Sequence, residues 1–460
     1  MRIPSVLVAL STISPLILMP RQAVCQQLQI VGRVTWQDRR GATDPNSNHA
    51  ARNVAIEVCE VPLPNACNQL SSVTAEADGR YQVTVPAATG SRTIQVRARS
   101  VSVAGKVHPI GTDLSYILLS LASTVHPGQA NLTLDVIGNS DNVSNTAFSV
   151  LEALLEGQAY VHKMSHTMLP SIDVEFPTSG SASYFDHGSL HILFFDKWDW
   201  DVILHEYGHY ASKTFGLDNN PGGQHFLDEN LSDRLPKSEA IRLAWGEGWP
   251  TYFSIAAQIG MNSSRLNIPN VGDSVYSDTE DASIELPLDS NGSDSLGEDN
   301  EVSVMRILFD AAESAHRFSD DQQVWSILIA SHPETLSTAV SSIASQIDLR
   351  KNEVFGTIQT THHVAPLIDD SPPGNIDASP TISWTPNGGG AKHRNDKFTI
   401  VIYDSDLKEL SEIQDVTSST FQIPALQWKD LNMKAKSCIV RGINQDDPPT
   451  GPFFSGLHSF

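Results

Sequence analysis

Side chains alternate between apolar and polar over residues 28–36, 53–59, 81–85 and 93–98, with turn residues such as Asp78-Gly79 between the runs. A period of two marks a strand with one face buried. Residues 26–138 therefore read as short strands of a small β-sandwich. From Thr146 the period changes. Phe148, Leu151, Leu154, Leu155 and Ala159 recur at helical spacing, which predicts a helix reaching about Met164. Residues 172–176 and 189–195 are short apolar strands. Helical patterns follow up to about Lys213, from Ser238 to about Ile259, from Asp299, and over 322–330 and 333–347. Asp369-Asp370-Ser371-Pro372-Pro373-Gly374 breaks both periods, as a linker does. Strand patterns then return at 381–384, 397–403, 420–423 and 438–443. The expected class is multidomain α+β, with a mainly helical middle domain flanked by two β-sandwich domains. The expected boundaries are 26–138, 139–368, a linker at 369–378, and 379–460.

Composition narrows the picture. The chain has 460 residues, 40 % of them apolar, and a formal charge of −23. That is enough for several packed cores. So acidic a chain has no general attraction for nucleic acid or anionic membrane. Residues 1–25 carry Arg2, an apolar run to Met19 and small residues near Ala23 and Cys25, the features of a secretory signal peptide. The run is short and broken by Pro15, and no other stretch is apolar enough to span a bilayer. The expected location is secreted, extracellular or periplasmic. Cys59 and Cys67 bracket a turn-rich loop, so a disulfide is expected there, with two free thiols as the alternative. Cys438 lies in an apolar strand pattern and is expected to be a buried single thiol.

The candidate chemistry lies in His205-Glu206-Tyr207-Gly208-His209, an H-E-x-x-H pattern. Residues four apart on a helix share a face, so both imidazoles can reach one cation. Zinc accepts imidazole nitrogens in a near-tetrahedral site, and a neighbouring glutamate can take a proton from water. Two carboxylates compete as third ligand. Glu247 sits in the apolar run Trp245-Gly246-Glu247-Gly248-Trp249, where a carboxylate is costly to bury without a positive partner. Glu229 lies closer in sequence but in a polar stretch between Pro221-Gly222-Gly223 and Pro236. Glu247 is the expected ligand.

With Glu247, this pattern resembles the gluzincin zinc metallopeptidases over roughly residues 140–368. The resemblance implies a zincin-like catalytic domain, Zn2+ held by His205, His209 and Glu247, Glu206 as general base, and peptide or protein substrates. Thr251 departs from that pattern, standing where an Asp often supports a ligand histidine. In that group a strand along the cleft pairs with extended substrate, and residues 189–195 are the expected strand. The amino-terminal sandwich resembles the transthyretin-like regulatory domains of carboxypeptidases. The carboxy-terminal one resembles fibronectin type III domains, for which contact with a surface or glycan is one expectation. The expected function is a secreted zinc metallopeptidase. The rival is a catalytically silent metal-binding surface or adhesion protein on a peptidase fold. Tyr252 and Tyr276 are candidate oxyanion donors. His225, His362 and His363 are expected to take no part, the last two at the surface.

Overall fold

The computed structural model describes residues 27–63, 66–227, 229–278, 284–290, 296–312, 321–369, 378–389 and 392–460. The expected signal peptide and most of the expected linker lie outside the described residues.

The amino-terminal part is built as the period of two requires. One five-stranded sheet centres on Gln27–Gln37, which pairs antiparallel with Arg80–Pro86 and Asn48–Ala50 and parallel with Asn131–Thr133 and Val136–Ile137. The other contains Asn68–Thr74, Ala55–Glu60, Arg92–Arg99, Ile117–Leu119 and Ser123–Val125. Leu28, Ile30, Val34 and Trp36 from the first and Ile56, Val58, Ile94, Val96 and Ala98 from the second are buried. Cys59 and Cys67 are joined in a disulfide.

Among the described residues seven helices follow: α1 (Val143–Ser165), α2 (Trp200–Phe215), α3 (Lys237–Gly260), α4 (Glu301–Ala312), α5 (Asp321–Ser331), α6 (Leu336–Gln346) and α7 (Leu349–Thr361). The Asn142 side chain caps α1 by accepting from the Ser144 amide. Arg52, from the amino-terminal part, donates to Glu152 and Glu156 on α1, and Arg265 and Ser263 reach Glu156 from the far side. This network fixes α1 against both halves of the chain.

The class expected from sequence needs correction. The middle is not a mainly helical domain set between two sandwiches. Across the described chain as a whole, helix and strand take nearly equal shares, 32 % and 30 %, and the strands form many small sheets. Short runs punctuated by turn residues pair with one another. Tyr184–Asp186 and Ser189–His191 close a hairpin over His187-Gly188, and Val275–Asp278 pairs with Ile284–Pro287. The hairpin belongs to a four-stranded sheet in the order Tyr184–Asp186, Ser189–His191, Ile172–Glu175, Gly105–His108. Its last strand comes from the amino-terminal part and runs parallel to Ile172–Glu175. One hydrophobic core runs from Leu28 through the helices to Phe454.

The carboxy-terminal part has a second core around Trp384, Phe398, Ile400, Val440 and Trp428. Its larger sheets are Leu367–Ile368, Thr381–Thr385 and Thr420–Gln422, and Glu409–Val416, Lys397–Tyr403, Ser437–Asn444, Thr450–Phe454 and His458–Ser459. Helix α8 (Ala425–Leu431) lies between strands. Cys438 is a buried free thiol, pushed by burial up to about 12. Lys237, at the start of α3, donates to the Pro448 carbonyl at 2.7 Å and to Asn444. No described helix is long and apolar enough to cross a membrane.

Candidate metal centre

Helix α2 starts at a defined point. The Asp199 carboxylate accepts from the amides of Asp201 and Val202, and Gly216 ends the helix in the left-handed region at φ 69°. Between these caps His205 and His209 lie one turn apart on the face turned toward α3. The two helices approach closely because Gly208 meets Pro250. A Cβ on Gly208 would lie 2.9 Å from the Pro250 Cα. The other two glycines of the stretch serve the same purpose. A Cβ at Gly246 would meet Asn220 at 2.7 Å, and one at Gly248 would meet Val304 of α4 at 2.6 Å. The Gly-Glu-Gly sequence thus lets Glu247 sit where three segments converge. Trp245 and Trp249 hold the helix in the core, the first donating to the Leu217 carbonyl at 2.7 Å.

Three donor atoms meet there. His205 Nε2 and His209 Nε2 are 3.1 Å apart, and Glu247 Oε2 is 3.3 Å from the first and 3.2 Å from the second. Zinc with bonds of about 2.0–2.1 Å in tetrahedral geometry separates its donors by about 3.3–3.4 Å. The donor set and its spacing therefore fit zinc. Glu229 is elsewhere: its carboxylate binds Arg234 Nε at 3.0 and 3.1 Å and accepts from the Phe226 amide at 3.0 Å. Among the described residues the other grouping of ligand-type atoms is Glu57 with Cys59 and Cys67, whose sulfurs are already bonded to each other.

Partners outside the triangle fix its orientation. Thr251 Oγ1 donates to the Glu247 carbonyl at 3.1 Å and lies 3.0 Å from His205 Nδ1. Since the hydroxyl proton is used on the carbonyl, we assign the remaining proton to Nδ1, which leaves the Nε2 lone pair facing the triangle. Thr251 thus holds the His205 ring in one orientation. Asn220 Nδ2 donates to Glu247 Oε1 at 2.6 Å and so turns Oε2 toward the imidazoles. Burial raises the Glu247 carboxyl, but the neighbouring imidazoles, above all the charge on His209, pull it well below its ordinary range. His209 is desolvated as well, yet Glu247 brings it up to about 9. The cluster calls for positive charge at its centre, whether a proton or a cation.

The centre opens on a cleft of about 890 Å³ that Glu206, Tyr276 and the strand Tyr184–Asp186 help to line. Glu206 lies on α2 next to His205 and is buried except toward the cleft. Tyr276 sits with its ring 6.1 Å from that of His205, and burial, backed by nearby carboxylates, holds its phenol well above the ordinary value, so it remains an O–H donor. Tyr252 is buried away from this cleft, beside Tyr160 and Phe253. The expected cleft strand is also displaced. Ser189–His191 is internal to its sheet, and Tyr184–Asp186 is the edge strand at the cleft. Sequence reasoning set His225 aside, but its Nε2 lies 3.7 Å from Glu247 Oε2 and its Nδ1 2.9 Å from Glu301 Oε1. Burial opposes a charge on this imidazole, while Glu301 raises it to about 9. His362, expected at the surface, is fully buried and pairs with Asp310 at 2.9 Å.

No protein-family model matches the chain, and no curated protein matches it. Among solved structures, that of a 9R-lipoxygenase from Cyanothece PCC8801 aligns at 9 % identity with a TM-score of 0.19. The alignment covers 98 % of this chain and 44 % of that one, so the chain spans less than half the length of that protein. At such a score the likeness carries no argument about fold or function.

Proposed function

We propose that the chain is an exported zinc-dependent peptidase of the gluzincin kind, hydrolysing peptide bonds at the cleft between α2, α3 and the edge strand Tyr184–Asp186. The observation that carries this reading is the triangle of His205, His209 and Glu247 donors at 3.1–3.3 Å with Glu206 beside it on the same helix. Zinc held there supplies a Lewis acid and lowers the pKa of its water toward about 7. Glu206 is placed to take a proton from the attacking water and to hand it to the leaving amine. Tyr276 offers a phenolic proton from the cleft wall to the developing oxyanion. Tyr184–Asp186, the outer strand of its sheet among the described residues, is placed to pair with extended substrate. The Cys59–Cys67 bridge supports an oxidising compartment.

The test pairs metal analysis with digestion of a broad peptide library by wild type and Glu206→Gln. Both proteins are expected to hold one zinc, and only wild type to cleave. If both hold zinc and neither cleaves, the catalytically silent metal-binding reading takes the place of this one.

A further inference from the structure

The cleft carries more negative charge than catalysis requires. Besides Glu206 and Glu247, it is lined by Asp186, Asp218, Asp278, Glu285 and Glu301, against Lys213 as the one lysine among its described residues. Glu301 stands apart from the rest. It is only 1 % exposed, it opens α4, and it faces the cleft across the His225 ring from Glu247. Its Oε1 lies 2.9 Å from His225 Nδ1, and neither of its oxygens has a partner in good hydrogen-bond geometry among the described residues. A buried carboxylate oxygen without a donor is costly, and native structures keep such a group where something else satisfies it. Here the side open to a ligand is the cleft, whose other walls also favour a cation.

We propose that Glu301 is a specificity residue whose free oxygen receives a cationic group of the substrate, either an α-ammonium or the side chain of Lys or Arg, close to the bond cleaved. The inference rests on the peptidase reading and narrows it to basic or amino-terminal peptide substrates. One imidazole separates Glu301 from the metal triangle, so the charge it reads belongs to a residue next to the reacting bond or one further along.

Binding tests this separately from turnover. Zinc-loaded full-length Glu206→Gln is titrated with fluorescent peptides of one sequence, bearing Lys or Gln beside the central bond and a free or acetylated amino terminus. Cationic peptides are expected to bind at least about tenfold more tightly than the neutral one, a preference that shrinks with salt. Adding Glu301→Gln should collapse that ratio, whereas Glu285→Gln, changing an exposed wall charge, should lower it only slightly. Loss of the preference on acetylation identifies the terminus as its source. Loss on Lys→Gln identifies the side chain. Equal binding of all four peptides, or a ratio unchanged by Glu301→Gln, overturns the proposal. If the preference appears but wild type cleaves none of the peptides, the cation site stands and the peptidase reading fails.

Discussion

Thr251→Val is the sharpest probe of how the centre is held. Valine keeps the β-branched shape, and the position is fully buried, so packing changes little. What disappears is the oxygen 3.0 Å from His205 Nδ1. That N–H would then be buried without an acceptor, a loss of about 1–3 kcal/mol for a buried group. The same proton fixes which nitrogen faces the triangle, and removing such an orienting partner typically lowers metal affinity about 10- to 100-fold. At about 1.4 kcal/mol per tenfold the two figures agree. Zinc affinity, read by competition against a chromophoric chelator, should therefore fall by that factor, while Thr251→Ser should stay close to wild type. A folded Thr251→Val protein that binds zinc within about twofold of wild type would refute the assignment of the Nδ1 proton.

Other expectations follow from the packing and the charges. Gly248→Ala should destabilise by about 1–3 kcal/mol in urea unfolding, because its new Cβ would lie 2.6 Å from the Val304 Cβ and force α3 from α4. Replacing Cys59 and Cys67 by Ser should cost about 2–3 kcal/mol for so short a loop, with zinc content unchanged by metal analysis. Asp201, buried between α2 and the strand Val275–Asp278, is raised by burial to about 8. The folded state then holds a proton that the unfolded chain releases near its ordinary value of 3.8. Stability should accordingly decline as pH rises from about 4 toward 8, and Asp201→Asn should flatten that slope in urea midpoints measured across the range.

What could be read in the sequence was local. The sandwich strands announce themselves by alternation, and α1 by its apolar stripe, because burial of one face imposes those periods. His205 and His209 were legible because a helix converts a spacing of four into a shared face. Glu247 was legible because a carboxylate amid tryptophans needs a cation. The contacts of Asn220 and His225 were not, since pairings made across 27 and more residues leave no periodic trace. The strand Glu409–Val416 was missed because it is an edge strand with few buried positions. Three residues at Tyr184–Asp186 are too few to show any period. The expectation of a mainly helical middle failed for the same reason, as its sheets are assembled from pieces this short.

The parallel pairing of Gly105–His108 with Ile172–Glu175 has a consequence for how the protein is made. A polypeptide leaves the ribosome amino end first, so the outermost strand of that sheet is available before Ile172–Glu175 emerges. The earlier strand serves as a template. Ile172–Glu175 adds to it first, and the hairpin of Tyr184–Asp186 and Ser189–His191 then joins through its inner strand, leaving Tyr184–Asp186 as the wall against which substrate would rest.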